Sequence, residues 1–296
     1  MKNLDDLTVV IVTFQTPEKI ILDCLNSINK SVNVIIVENS KIFSHEYLVK
    51  SKFSNVKVFC TGENIGYGKG NNFGLEKVDS NYALILNPDV ICEEKLFDKI
   101  PNVVNKINNF AVIGFQYSFD KIFIPAGFFD EKKNSVYRDE FKENKIESIS
   151  SVEWVTGCSM LINLKEFKNK KIFDENFFLY FEETEYCFRA KNKGYLSYQL
   201  NKSKVKAKGR SVNVENENES LSNILIWHFI WSKFYFYKKK YGKLLSLIIF
   251  IPIFIRILFK VILYKITKNE ILLNKYKSRL DGLLKSMMGE KSNLRP

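Results

Sequence analysis

The sequence predicts an α/β fold: a mixed, mostly parallel sheet with flanking helices, followed by a basic and apolar helical region. Three observations predict it. Short apolar runs alternate with segments of helical periodicity along the first two-thirds of the chain, the pattern of strand–helix–strand units with right-handed crossovers. Polar clusters come directly after these runs, so they gather at the sheet edge where α/β folds bind ligands. Charge is segregated: residues 202–296 hold 20 Lys+Arg against 6 Asp+Glu, whereas residues 1–201 hold 25 against 27. The net charge of +12 therefore belongs to the C-terminal third.

Each element follows from local pattern. Thr8–Phe14 is short, β-branched and apolar, which reads as a buried parallel strand. Pro17 and Glu18 open a helix with Ile20, Ile21, Cys24, Leu25 and Ile28 at helical spacing. Val32–Val37 and Val56–Cys60 are further strands. A turn rich in Gly and Asn leads into a helix over Asn71–Val78. The Tyr82–Leu86 strand stops at Asn87-Pro88-Asp89, because Pro88 lacks a ladder donor. Asp89 is either a ligand-binding acid at the strand tip or the cap of a helix over Glu93–Ile100. Ala111–Phe115 is a strand, the charged Asp130–Lys145 stretch a loop, Val152–Leu164 strand-like, and Tyr195–Leu200 the last strand. The acidic Asn213–Ser220 stretch marks a boundary. It gives a catalytic-type domain over 1–215 and a helical, membrane-associating region over 216–296.

Composition narrows the function classes. A length of 296 residues with 46% hydrophobic content supports one large packed domain plus an appendage. Two histidines, and five cysteines lacking any CxxC pair, argue against a zinc site or a His-based triad. The odd cysteine count and the absence of an apolar stretch at the N-terminus fit a reducing cytosol. Leu221–Tyr241 reads as an aromatic helix. Leu244–Tyr264 has 21 residues, about the ~20 needed to span a bilayer. Arg256 and Lys260 lie inside it, and such charges suit an interfacial helix better than a spanning one. A helix packed on the catalytic domain is the other reading, and it leaves the basic surroundings unexplained. The long apolar run argues against a nucleic-acid partner.

Two segments carry chemistry. Thr61–Asn72 places four glycines within nine residues after the third strand. Such a loop lets backbone approach a ligand, and the helix after it favours a pyrophosphate. It is neither a Walker loop nor a dinucleotide fingerprint. Phe173–Glu185 packs five acids among five aromatics. Adjacent carboxylates in an apolar wall can act as a base, although an acidic first helical turn explains the same residues.

Six motifs together carry a resemblance: VVIVTF (9–14), VIIVENS (34–40), ENIGYGKGNNFG (63–74), LILNPDV (84–90), WVTGCSMLI (154–162) and FDENFFLYFEETEYCFR (173–189). In this order and spacing, over roughly 7–211, they resemble the inverting family 2 glycosyltransferases of GT-A (Rossmann-like) fold, and within them the rhamnosyltransferase-like branch of bacterial polysaccharide synthesis. The resemblance implies a nucleotide-sugar donor, with dTDP-rhamnose the first candidate, and a divalent cation, Mg²⁺ or Mn²⁺. It implies a polyprenyl-diphosphate-linked saccharide acceptor at the cytoplasmic face of the cell membrane, with the protein peripheral or monotopic on an anionic surface. Residue by residue, Thr13 and Phe14 would lie beside the nucleotide and Glu38 at its base or ribose. Asn64, Gly66, Gly70 and Asn71 would form the donor loop. Asp89 would hold the metal, and Trp154 and Gly157 the acceptor side. Glu183 would be the base and Glu182 its partner.

Three departures accompany the match. The metal motif reads Asn87-Pro88-Asp89, with one acid, and the base position is Glu rather than Asp. Lys206 stands where the family often has a metal-binding His. A protonated Lys cannot ligate a metal, so Lys206, Lys208 or Arg210 would share the neutralisation of the diphosphate and weaken metal dependence. A nucleotide-sugar-binding scaffold with impaired catalysis is the alternative these departures motivate.

Overall fold

The computed structural model describes residues 1, 4–107, 109–119, 122–124, 126–142, 148–166, 171–207 and 219–295. The predicted boundary near residue 215, together with Lys208 and Arg210, lies outside the described residues. The chain divides into two compact units, Met1–Phe173 with Glu183–Asn213, and Asp174–Glu182 with Val214–Pro296.

In the first unit the elements alternate as the apolar pattern requires: β1 (Leu7–Thr13), α1 (Glu18–Asn26), β2 (Asn33–Glu38), α2 (Glu46–Lys52), β3 (Val56–Cys60), α3 (Tyr67–Leu75) and β4 (Tyr82–Leu86). There follow β5 (Val90–Cys92), α4 (Leu96–Lys106), β6 (Phe110–Phe119), β7 (Ile122–Ile124), α5 (Glu131–Lys142), β8 (Ile149–Val152), β9 (Ser159–Asn163), α6 (Glu182–Asn192) and β10 (Leu196–Ala207). The sheet order is β3-β2-β1-β4-β9-β6-β10-β5, with β7 beside β6 and β8 beside β10. Strands β1 to β4 are mutually parallel, whereas β9 runs antiparallel to β4 and to β6.

Side chains alternate across the sheet. Val9 and Ile11 of β1 pack with Ile21, Cys24 and Leu25 of α1 on one face. Val10 and Val12 join Leu75 of α3 and Tyr186 of α6 on the other. A Cβ at Gly74 would lie 2.6 Å from Val10 Cγ1, so glycine lets α3 rest directly on β1.

Asp130–Lys145, expected as a loop, instead contains α5. Asp130 Oδ1 accepts from the Lys133 N–H at 2.9 Å, which caps the helix start. Tyr137 anchors the helix, edge-on to Phe128 at 5.6 Å and donating to Asn201 Oδ1 at 3.2 Å. A single buried aromatic among charges is too sparse a stripe to read from sequence.

The second unit contains α7 (Glu219–Tyr241), α8 (Lys243–Ile266) and α9 (Glu270–Met288). Ile230, Phe234, Phe250, Ile257 and Leu283 form its core. Trp227 Nε1 donates to Asp281 Oδ2 at 2.6 Å, and a Cβ at Gly282 would come within 2.7 Å of the Trp227 carbonyl, so α7 and α9 meet closely there. Asn269 caps α9 by accepting from the Leu272 N–H, and Gly289, with φ of 85°, ends it. Among the described residues α8 is the one helix long and apolar enough to cross a membrane, with a mean hydropathy of 2.5.

Candidate active site

The parallel strands β1 to β4 end at one sheet edge, and the candidate residues gather there. Thr13 closes β1 and Glu38 closes β2, in register with each other. The buried Thr13 hydroxyl donates to Glu38 Oε2 at 2.6 Å, and the Gln15 N–H donates to Oε1 at 3.1 Å. Gln15 holds a left-handed φ of 49° to do so. Phe14 is half-buried beside them. A cavity of about 210 Å³ opens here, lined by Gln15, Thr16, Glu38, Phe43 and His45 among others. A larger cavity of about 370 Å³, lined by Asp5, Lys57 and Lys77 among others, lies at the opposite, N-terminal ends of β1 and β2. Ligands of α/β sheets bind outside the carboxyl ends of the strands, so the smaller cavity belongs to the candidate site.

The glycine loop is fastened from below. Asn64 Oδ1 accepts from the Gly66 N–H at 3.1 Å, and Gly66 enters α3 with φ of 89°. Asn39 Nδ2 donates to the Gly66 carbonyl at 2.9 Å. A Cβ at Gly70 would meet Val12 Cγ1 at 2.9 Å and Asn39 Nδ2 at 3.1 Å. Asn71 is fully buried, its Nδ2 donating to the Tyr67 carbonyl at 3.0 Å while its Oδ1 finds no partner among the described residues.

Tyr67 links this loop to the opposite wall by donating to the Gly157 carbonyl at 2.7 Å. Gly157 in turn faces Glu183: a Cβ there would lie 3.4 Å from Glu183 Cγ and Cδ. Glu183 is the second residue of α6, half-buried, and its Oε1 accepts from the Thr184 hydroxyl at 3.1 Å. Burial raises its pKa above the ordinary carboxylate range, against smaller opposing effects from backbone N–H groups and the Thr184 hydroxyl.

The other acids of this segment are distinguished by their surroundings. Arg189 engages both oxygens of Glu185 at 3.1 Å, Asp174 meets Lys239 at 2.6 Å, Glu175 is exposed, and Glu182 is 1% exposed. Glu183 thus combines a raised pKa with a carboxylate that faces Gly157. The helix start expected as an alternative is present at Glu182.

Asp89 sits in the turn between β4 and β5, where the Val90 N–H donates to the Asn87 carbonyl at 3.1 Å. The Asn87 N–H donates to the Cys158 carbonyl at 2.9 Å, which ties this turn to the Gly157 strand entry. Asp89 is 8% exposed, and burial pushes its pKa up to about 6, partly offset by a backbone hydrogen bond. Its Oδ1 and that of Asn87 have no hydrogen-bond partner among the described residues.

This donor set fits a hard divalent cation. Mg²⁺ takes one or two protein carboxylates and completes its shell with water and substrate phosphate oxygens. An unpartnered buried carboxylate oxygen is what such an ion would satisfy. The described residues contain no cluster of three or more His, Cys, Asp or Glu suited to a fully protein-bound metal.

Two further predicted residues, Trp154 and Lys206, are held by contacts within the sheet domain. Trp154 Nε1 donates to the Phe128 carbonyl at 3.3 Å and its ring covers Gly127. Lys206 pairs with Ile91 of β5 and Ser118 of β6, its side chain exposed in a row with Lys202 and Lys204.

Three residues that sequence reasoning left without a role brace the site: Asn39, Tyr67 and Asn72. Asn72 Nδ2 donates to the Phe173 carbonyl and its Oδ1 accepts from the Phe173 N–H, both at 2.9 Å. Amides and a phenol inside otherwise apolar elements were the available signal, since buried polar groups require partners.

The sheet order and the convergence at its carboxyl edge define a GT-A glycosyltransferase fold. Residues 8–181 match the domain described as glycosyl transferase family 2. The chain belongs to that family.

It is 25% identical over 196 residues to the low-salt glycan biosynthesis hexosyltransferase Agl10 of Haloferax volcanii, covering 64% of this chain and 62% of that one. It is 26% identical over 148 residues to the rhamnosyltransferase WbbL of Escherichia coli K12, covering 44% of this chain and 56% of that one. The chain therefore spans about three-fifths of each relative's length. The crystal structure of GalNAc-T7 with UDP, GalNAc and Mn²⁺ superposes with a TM-score of 0.58 at 15% identity, covering 81% of this chain and 51% of that one. Residues 1–349 of S. aureus TarS give a TM-score of 0.50 at 13% identity, covering 96% and 92%. These two likenesses concern the fold.

Proposed function

We propose that this protein is an inverting hexosyltransferase that moves a sugar from a nucleotide donor to a saccharide acceptor in glycan biosynthesis. The observation that carries the reading is Glu183, a carboxylate of raised pKa facing Gly157 at the edge that also holds Asp89 and the glycine loop.

Glu183 takes the proton of an acceptor hydroxyl, whose oxygen attacks the anomeric carbon from the face opposite the diphosphate. The bond from that carbon to the diphosphate oxygen breaks, and the nucleoside diphosphate leaves with the electron pair. Thr13, Phe14 and Glu38 border the nucleoside cavity. Asn64, Gly66, Gly70 and Asn71 present loop backbone and the start of α3 to the diphosphate. Asp89 would hold a divalent cation, which would supply neutralisation of the leaving diphosphate. Gly157 and Trp154 serve the acceptor side, Glu182 supports the base, and Lys206 adds positive charge near the diphosphate.

The WbbL relative supports dTDP-rhamnose as the donor to try first. The test is a panel of nucleotide sugars offered to purified protein with and without Mg²⁺ or Mn²⁺. Release of a nucleoside diphosphate that depends on acceptor supports the reading, and none with any donor refutes it.

The acceptor is a polyprenyl-diphosphate-linked saccharide, met at the cytoplasmic face of the membrane. Leu244, Ile248, Ile251, Ile255, Phe259 and Ile262 of α8 recur every three to four residues and are all exposed, while Phe250 and Ile257 face the helical core. An apolar outer stripe flanked by Lys243, Arg256, Lys260 and Lys265 suits an anionic lipid surface. Helix α9 packs along α8 and carries Lys275, Lys277, Arg279 and Asp281. Spanning would draw these into hydrocarbon at about 2.5–3.5 kcal/mol each, so α8 lies in the plane of the surface.

Replacing Ile251, Ile255 and Ile262 together by Asp should then cut binding to anionic phosphatidylglycerol-containing vesicles by at least ~10-fold, since each inserted Ile contributes about 1.5–3 kcal/mol. Unchanged co-sedimentation would refute the surface role.

A further inference from the structure

Helix α7 grips the segment that leads into the proposed base, residue by residue, within one compact unit. Asp174 Oδ2 accepts from Lys239 Nζ at 2.6 Å and from the Tyr235 hydroxyl at 3.2 Å. Phe177 meets Tyr235 edge-on at 4.9 Å, and Phe178 stacks on His228 at 4.7 Å. The Leu179 carbonyl accepts from the fully buried Ser232 hydroxyl at 2.8 Å. Tyr180 and Phe181 both contact Phe229, and Phe181 also stacks on Phe236 at 5.8 Å. The gripping residues 228, 229, 232, 235, 236 and 239 fall at helical spacing on one face of α7.

The gripped segment is strained. Tyr180 and Phe181 both hold φ of 70°, the left-handed region that bulky residues avoid. Two such residues in succession persist only where surrounding contacts over-determine them. They come immediately before Glu182 and Glu183. The clamp is itself backed by the chain end. His228 bonds to Ser292 Oγ and to the Leu294 carbonyl, both at 2.9 Å, and Arg295 lies over the Phe178 ring at 4.1 Å.

We propose that α7 is a positioning device for the transfer reaction: it imposes the left-handed turn at 180–181 and thereby sets the direction in which α6 starts and presents Glu183. This rests on the proposed role of Glu183. Lys239, Tyr235 and Ser232 are positioning residues that act through Asp174 and Leu179. The C-terminal region is accordingly more than a membrane anchor, and removing it would disorganise the base as well as release the protein.

The test uses the full chain and two readouts. Amide hydrogen exchange needs no activity. In Ser232→Ala and in Lys239→Met, amides of 176–183 should exchange at least ~10-fold faster while those of β1 to β4 keep their protection. In transfer assays kcat should fall about 10- to 100-fold with donor KM within about twofold, as a misplaced catalytic group does. Lys239→Arg, which keeps the cation at Asp174, should recover most of the rate.

Faster exchange at 176–183 with unchanged kcat would overturn the positioning role while leaving the glycosyltransferase reading intact. Unchanged exchange in both variants would overturn the clamp itself. If wild-type protein transfers no sugar, the functional reading fails and the exchange result still decides the clamp.

Discussion

Replacement of Glu183 by Gln tests the proposed chemistry most directly. Gln keeps the length and nearly the volume of Glu, and it can still accept from the Thr184 hydroxyl, so the wall opposite Gly157 stays in place. Only the ability to take a proton is lost. General-base catalysis contributes about 10²–10⁴-fold, or roughly 3–5 kcal/mol at about 1.36 kcal/mol per decade. Burial raises the pKa of Glu183, bringing the base nearer to neutral pH where proton transfer is most efficient. The expected loss in kcat is therefore about 10³-fold, in the middle of that range.

The assay is acceptor-dependent release of nucleoside diphosphate by matched preparations, with donor affinity measured separately and expected within about threefold, as for loss of a transition-state interaction. The raised pKa adds a second signature: in the wild type the acid limb of kcat/KM lies above the ordinary glutamate range. A Gln variant within about tenfold of wild type, below the smallest loss expected of a base, would refute the assignment. Equal, residual turnover by both proteins would favour the nucleotide-sugar-binding scaffold.

Two further predictions follow the same geometry. Gly157→Ala should fold normally, because its Cβ meets Glu183 at 3.4 Å, an ordinary contact; it narrows the approach to the carboxylate, so acceptor KM should rise while the thermal midpoint holds, and an unchanged acceptor KM would remove Gly157 from the acceptor path. Asp89 has a folded pKa of about 6 against an ordinary 3.8. The folded state thus binds the proton more tightly, and this contribution to stability is complete below about 3.8 and is lost as pH rises through about 6. Without divalent cation, about 3 kcal/mol should disappear across that window. Asp89→Asn should show a flatter pH profile in urea titrations, and Mn²⁺ with nucleoside diphosphate should raise Tm for the wild type alone. A variant that matches the wild type in both measurements would end the metal role of Asp89.

How much was legible from sequence varies by element. Strands β1, β2 and β4 are nearly all buried, so their apolar runs announce them and fix the edge at which Thr13, Glu38 and Asp89 emerge. Helix α5 was missed because its hold on the sheet rests chiefly on Tyr137, with Asn134 buried beside it. Asn39 and Tyr67 were quoted within motifs yet carried no role, since their partners, the Gly66 and Gly157 carbonyls, are backbone groups that leave no mark in a residue pattern.

The order of motifs by itself determined the α/β class, the family and the edge where chemistry converges, because apolar periodicity and glycine placement are local and strand polarity follows from them. How the surroundings of the acids at 174, 175, 182, 183 and 185 differ is visible only in the tertiary structure. Arg189 engages Glu185, Lys239 engages Asp174, Glu175 is exposed, Glu182 is buried, and Glu183 faces Gly157. A carboxylate's pKa is set by its dielectric surroundings and its nearest charges. For Glu183 those come from α6 and the β9 entry, elements brought together by folding.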